Sequence, residues 1–223
     1  MSTNPKRDVL HELARVGNAL GSAVRLEILE LLAQGERSVD RLAGLTGHSI
    51  ANTSQHLQKL KQAGLILARK QGQFVYYRIA SDDVVRLLAS LAHVGEAHVA
   101  EIERIVRLYF RTKDDFEPIA ATELLARAKS GLVTVLDVRP PEEFAAGHVP
   151  GALNIPVDQL ARRLRELPKG KEVVAYCRGP FCLMSFDAVH LLRQRGLKAR
   201  RLEDGLPEWR TSGLPIEQDP PHS

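Results

Sequence analysis

The chain has 223 residues, with 31 Lys and Arg against 27 Asp and Glu and only two cysteines. That length accommodates two small domains, and an apolar content of 44% is that of a globular protein rather than a disordered one. No stretch approaches roughly 18 uncharged apolar residues, and Arg15, Gly17 and Asn18 interrupt the first apolar run, so neither a membrane span nor a secretory signal is expected. Two cysteines without such a signal point to a reducing cytoplasmic setting rather than to a disulfide framework.

Charge and proline divide the chain at one place. Residues 1–112 hold 15 Lys and Arg against 11 Asp and Glu and a single proline, Pro5; residues 113–223 hold 16 against 16 and the other eleven prolines. The expected boundary is near Thr112, in the polar stretch 111–117 ahead of Pro118.

In the first part, Ser22 stands ahead of Val24, Ile28, Leu31 and Leu32, which recur at helical spacing until Gly35. A short helix over 38–43 leads into the turn Leu45, Thr46, Gly47, His48, and Ser49 then caps a third helix that runs to Ala63 and stops at Gly64. Two helices joined by a Gly-containing turn of this length form a helix-turn-helix. Thr53, Leu57 and Leu60 face the core, which turns Asn52, Gln55, Lys59 and Gln62 outward. Asn and Gln suit bidentate pairing with an adenine edge, and Lys suits guanine or phosphate. Residues 66–68 and 74–79 then alternate as strands about Lys70, Gln71 and Gly72, a hairpin carrying Arg69, Lys70 and Arg78 that is placed to neutralise phosphates.

Ser81, Asp82 and Asp83 open a helix with acidic residues where the dipole favours them. Its apolar residues Val84, Leu88, Leu91, Val99, Ile102, Ile105, Val106 and Tyr109 form one stripe to Phe110. About 29 residues at about 1.5 Å each make a rod of roughly 44 Å, longer than a domain of this size covers. The surplus predicts the same helix of a second copy as partner, with Leu88, Leu91, Val99 and Ile102 in the interface.

Residues 18–110 resemble the ArsR (arsenic repressor) family of winged-helix repressors. The resemblance rests on Leu20, Gly21, Ser22, Arg25 and Ile28, on NTSQHLQKLKQAGL at 52–65 and on RKQGQFVYYRI at 69–79. It implies a homodimer on a double-stranded DNA operator, with Asn52, Ser54, Gln55, His56 and Lys59 nearest the bases, Ser49 at the start of the reading helix, and Arg69 and Lys70 on the wing. The family's metal sensors carry paired cysteines where this chain has Ser38, Val39 and Asp40. Others place ligands early in the long helix, where this chain has Val85 and Leu87. His98 and Glu101 keep ligand spacing, but tetrahedral zinc needs three or four convergent ligands, so no metal and no other cofactor is expected.

From Pro118 onward helices and strands alternate: helix 121–130, strand 132–138, helix 142–146, strand 152–155, helix 157–166, strand 172–176, helix 183–194 and strand 198–202. Such alternation predicts a mainly parallel sheet with helices on both faces, and ligands of such sheets bind beyond the carboxyl ends of the strands. Cys177 sits at that end, opening the run CRGPFC between a strand and a helix N-terminus, where backbone N–H groups favour thiolate over thiol. A thiolate attacks sulfane sulfur, and the persulfide anion that results needs convergent donors in place of water. Pro180 removes one of them.

Residues 119–217 resemble the rhodanese family, through DVRPPEEFAAGHVPGALNIP at 137–156 and LEDGLPEWRTSGLPIE at 202–217. The resemblance implies that Cys177 carries sulfur as a persulfide inside a loop of anion-binding N–H groups from Arg178, Gly179, Phe181 and Cys182, with Arg139 and Glu143 as scaffold or rim. The last loop position, often basic in thiosulfate-using members, is Cys182, which leaves Arg178 as the loop's one cation. Cys182 is either a second thiol that closes a disulfide with Cys177, if the Cα atoms lie within about 7 Å, or a small apolar residue starting the next helix.

These readings predict an α+β winged helix-turn-helix domain over 1–112 followed by an α/β rhodanese domain over 113–223. The function expected is that of a cytoplasmic, homodimeric repressor whose second domain senses or processes a small sulfane-sulfur or thiol ligand. An alternative makes the chain chiefly a rhodanese-type sulfurtransferase whose winged helix controls its own gene. A third, a cysteine enzyme directed at arsenate or phosphate, is disfavoured by a six-residue loop sized for compact sulfur.

Overall fold

The computed structural model describes residues 4–110 and 118–219, which pack as two compact units divided between Leu88 and Ala89. The boundary that composition places near Thr112 lies outside the described residues.

The first unit opens with a helix absent from the sequence reading, α1 (Pro5–Leu20). Asn4 accepts a hydrogen bond from the Arg7 backbone N–H at 3.2 Å, and Pro5 fills the first turn, where its missing N–H costs nothing. Helix α2 (Ala23–Ala33) forms the centre of the core through Ile28, Leu29, Leu31 and Leu32. Ser22 occupies its N-cap position without making a side-chain bond. Buried Arg25 donates to the carbonyls of Ala19 and Asn18 and so fixes the end of α1 on α2.

Strand β1 (Arg37–Ser38) leads into α3 (Val39–Thr46), which is capped by Ser38, runs three residues beyond the expected stop at Ala43 and is ended by Gly47 at φ 69°. Helix α4 (Ile50–Gln62) starts at Ser49, whose Oγ accepts from the Asn52 N–H at 3.2 Å. Strands β2 (Ile66–Gln71) and β3 (Phe74–Ile79) pair antiparallel around Gly72, and β1 adds to β3 to make a three-stranded sheet. A helix-turn-helix followed by a two-stranded wing is the observed order.

The long helix is not one rod. Helix α5 (Asp82–His98) ends before Val99, whose backbone is extended; α6 (Ala100–Ile105) follows, and Val106–Phe110 winds as a π-helix. Apolar spacing carries through the break, so the pattern alone concealed it. Across the break, Ile102 Cδ1 comes to where a Cβ on Gly95 would stand 3.0 Å away, so Ile102 settles against α5.

In the second unit, four parallel strands run in the order β5 (Leu153–Asn154), β4 (Val133–Asp137), β6 (Glu172–Tyr176), β7 (Ala199–Arg201). Period-two alternation gives the sheet two apolar faces. Leu136 and Val138 with Val173, Ala175 and Cys177 join the layer of α9 (Val157–Arg163) and α10 (Leu183–Gln194). Val133 and Val135 with Val174 and Tyr176 join α7 (Ala121–Lys129) and α11 (Leu206–Thr211), where Trp209 is fully buried. The short helix α8 (Pro141–Ala146) follows β4 and contributes Glu143 to the interior.

Candidate functional site

Cys177 is the first residue beyond β6, and its side chain continues the Val173 and Ala175 face, leaving it 1% exposed. Cys182 is the N-cap of α10 and lies in the same apolar cluster. The two sulfurs are bonded, with the Cα atoms 6.3 Å apart. Cys182 is thus bonded to Cys177 and also packed as a small apolar group at the start of α10. The Cys182 N–H, one of the expected anion donors, bonds to the Gly179 carbonyl at 3.1 Å and closes the turn. Ser185 Oγ donates to the Cys182 carbonyl at 3.1 Å.

The loop is held from outside by three anchors near its start. The Leu206 N–H donates to the Cys177 carbonyl at 3.1 Å. Gly205 lies against the peptide joining Arg178 and Gly179, so closely that a Cβ would come within 2.4 Å of three backbone atoms. Arg178 donates through Nε at 3.0 Å and Nη2 at 2.7 Å to the carboxylate of Glu143, which is buried. The cation expected to serve the loop's anion is therefore matched by a carboxylate 35 residues away in sequence. Next to this pair, Arg139 is fully buried against Asp137 and also donates to the Gly147 carbonyl at 2.8 Å. Burial opposes its charge, and Asp137 more than offsets that. Tyr176, buried beneath the loop, accepts from the Val149 N–H at 3.1 Å, and desolvation pushes its phenol well above the ordinary range.

Phe181 is a third exposed, and its ring centroid lies 5.8 Å from that of Phe110, which stands 5.2 Å from Phe186 on α10. Sequence reasoning missed Phe110, Gly205 and the pairing of Glu143 with Arg178. Gly205 lies inside the C-terminal signature, but nothing local marks its approach to the loop, nor Phe110 or the ion pair.

In the first unit, α4 buries Thr53, Leu57 and Leu60 and exposes Gln55 and Lys59, with Asn52, Ser54 and His56 partly covered. Ser49 is spent as its cap. The His56 ring lies 6.4 Å from that of His48, and burial first, then Arg25, Lys59 and His48, hold it below its ordinary value of 6.5. On the wing, Lys70 is exposed, while Arg69 donates to both carboxylate oxygens of Glu36 and lies over the Tyr76 ring. Leu88 packs against the first unit's core, and Leu91, Val99 and Ile102 remain exposed on the two helical segments. Glu101 is paired with Arg104, and no group of three or more His, Cys, Asp and Glu gathers among the described residues. No helix among them is long and apolar enough to cross a membrane.

Two family models match the chain: the bacterial regulatory protein, arsR family, over residues 22–67, and the rhodanese-like domain over residues 120–212. The chain is 46% identical over 216 residues to the HTH-type transcriptional regulator Rv0324 of Mycobacterium tuberculosis, a match covering 97% of this chain and 95% of that protein. It is 38% identical over 85 residues to a sulfurtransferase of Allochromatium vinosum, which spans 38% of this chain and 78% of that one. Among solved structures it is similar to the homodimeric winged helix-turn-helix DNA-binding domain of Mb0332 from Mycobacterium bovis, at 45% identity and a TM-score of 0.41 over 44% of this chain and 92% of that one. A rhodanese-related protein from Thermoplasma volcanium matches at 31% identity and a TM-score of 0.42 over 46% of this chain and 98% of that one. With one relative spanning both halves, the chain belongs to the family of HTH-type transcriptional regulators that join an ArsR-family helix-turn-helix domain to a rhodanese-like domain.

Proposed function

We propose that the chain is a cytoplasmic homodimeric repressor that binds double-stranded operator DNA through residues 1–112 and responds to reactive sulfur through residues 113–223. One observation carries the sulfur part: both cysteines of the chain stand at the ends of one strand-to-helix loop, bonded to each other, in a transcriptional regulator. The Cys177 thiolate attacks the outer sulfur of a persulfide donor; that S–S bond breaks, a thiol leaves, and Cys177 becomes a persulfide. The Cys182 thiolate then attacks the Cys177 sulfur, forming the disulfide and expelling hydrosulfide. The pair is oxidised and the sulfane sulfur reduced, and a thiol reductant reopens the pair by two exchanges.

Operator reading is assigned to the outward face of α4, with Asn52 and Gln55 on base edges, Ser54, His56 and Lys59 beside them, and Lys70 on a phosphate. The exposed apolar residues Leu91, Val99 and Ile102 support association with a second copy. A titration of operator DNA with reduced, persulfidated and disulfide protein tests the whole reading. The affinity is expected to differ between states in wild type and to be indifferent to the donor in Cys177→Ser. A full response retained by Cys177→Ser refutes it. Asn52→Ala or Gln55→Ala is expected to cost about 1 to 3 kcal/mol on the operator.

A second reading, a sulfurtransferase that controls its own gene, is favoured by the likeness to the Allochromatium vinosum sulfurtransferase. Sustained turnover of a persulfide donor, with DNA affinity blind to the state of the cysteines, distinguishes it. Thiosulfate is expected to be a poor substrate in either case, because Glu143 balances Arg178 and Cys182 brings no charge.

A further inference from the structure

We infer that Phe110 is the relay between the Cys177–Cys182 pair and the helical run that ends at Phe110, a ring seated between one fixed and one movable phenylalanine. The inference rests on the sulfur-switch reading above and supplies its route. All three rings lie within the unit Ala89–Ser223.

Phe186 is the fixed partner. It is 1% exposed in the first turns of α10, and the Arg201 guanidinium lies 4.5 Å over its ring. Arg201 is itself held by the carbonyls of Leu202 and Glu203. Phe181 is the movable partner: it is bonded directly to Cys182 and is a third exposed. The Phe110 ring meets both edge-on, at 63° to Phe181 and 66° to Phe186, the arrangement that aromatic quadrupoles favour.

The anchors on the loop make Phe181 the ring that answers to the sulfurs. Gly205, the Leu206 N–H and Glu143 all hold the start of the loop, at Cys177, Arg178 and Gly179. Its far end, Cys182, is held by the disulfide, by the turn bond from its N–H to Gly179, by Ser185 Oγ on its carbonyl and by packing in the α10 cluster. A dithiol reductant opens the disulfide by two exchanges, leaving two thiols here and a disulfide on the reductant, and so removes the one redox-dependent tie between Cys177 and the residue bonded to Phe181. Phe110 then keeps Phe186 and loses the geometry of its second partner. It terminates a π-helical turn, a rare winding that occurs mostly as single turns and frequently at functional sites. A change at Phe110 is thereby passed to α6 and the break at Val99, on the run that begins at Asp82.

The test compares operator affinity of disulfide and dithiol-reduced protein in wild type, Phe110→Leu, Phe110→Ala and Phe110→Tyr, all as full chains. Wild type is expected to show about a tenfold ratio between states, equivalent to about 1.4 kcal/mol. Phe110→Leu and Phe110→Ala should fall within about twofold, with reduced-state affinity within about threefold of wild type, and Phe110→Tyr should restore the ratio. Because coupling is reciprocal, operator DNA should shift the thiol–disulfide equilibrium of wild type by the same factor and leave that of Phe110→Leu unmoved. A wild-type ratio in Phe110→Leu overturns the relay while the sulfur switch stands. A ratio of one in wild type itself overturns the switch and the relay together. If Phe110→Ala fails to fold, the Leu and Tyr variants decide the matter.

Discussion

Substituting Gly205 by alanine isolates the contact that positions the cysteine loop. Gly205 has φ −110° and ψ −174°, extended backbone that alanine adopts without strain, so the whole effect is steric. The added methyl would sit 2.4 Å from the Arg178 carbonyl carbon, its oxygen and the Gly179 nitrogen, whereas ordinary contact begins at 3.4 Å. The loop must therefore retreat by about 1 Å, and the obstacle is backbone, which has no rotamer to change. Overpacking of this kind costs about 1 to 3 kcal/mol, and a backbone obstacle puts it at about 3. At roughly 4 °C per kcal/mol for a unit of this size, the melting midpoint should drop by about 12 °C. Trp209, the chain's one tryptophan, is buried in the same unit, so its fluorescence reports this transition separately from that of the winged helix. Closure of the disulfide should also slow by about ten- to a hundredfold, as expected when reacting groups are misplaced by about 1 Å. Gly179→Ala is the control, since a Cβ there meets nothing within 4 Å. A Gly205→Ala protein with wild-type melting and wild-type closure would refute the argument.

Tyr176→Phe leaves the buried Val149 N–H without its acceptor, and the Trp209 transition should lose about 1 to 3 kcal/mol. His56 is held below 6.5 in the folded unit, so below that pH the unfolded chain takes up the proton first. The contribution is complete above about pH 6.5 and lost as pH falls through the lowered value, and His56→Gln should narrow the gap between urea midpoints measured by circular dichroism at about pH 7.5 and about pH 5.5. Leu91→Glu places a charge on the proposed interface and should yield monomers by sedimentation at micromolar concentration, with operator affinity lost; a dimeric variant would exclude Leu91 from the contact.

Legibility followed the range of the interaction. The faces of α4 could be read because Thr53, Leu57 and Leu60 repeat at helical spacing and Ser49 and Gly64 punctuate the ends, all within one local segment. The strands of the parallel sheet were plain because burial on both faces demands unbroken apolar runs such as the one from Val173 to Tyr176. Helix α1 was missed although Val9, Leu13, Val16 and Leu20 recur at helical spacing; its first turns stay exposed, and only Val16, Ala19 and Leu20 reach the core. The break at Val99 leaves the apolar spacing intact, so a periodic pattern does not encode it. At the loop, the cysteines and the strand-to-helix setting are local and were visible. The groups that bond to it or pack on it, Glu143, Gly205 and Phe110, arrive from distant parts of the chain.

The bond between Arg69 and Glu36 gives the wing a counter-ion that belongs to the protein. Each phosphate neutralised by a basic side chain ordinarily releases condensed ions and adds about 0.9 to the salt slope of binding. Arg69 delivers that gain only net of the carboxylate it must surrender. If the wing meets DNA as proposed, it should adhere to arbitrary duplex less than its basic residues would imply, which would leave more of the recognition to the amides of α4. On the proposed reading, such a regulator is expected to leave wrong sequences quickly and to linger where Asn52 and Gln55 meet their bases.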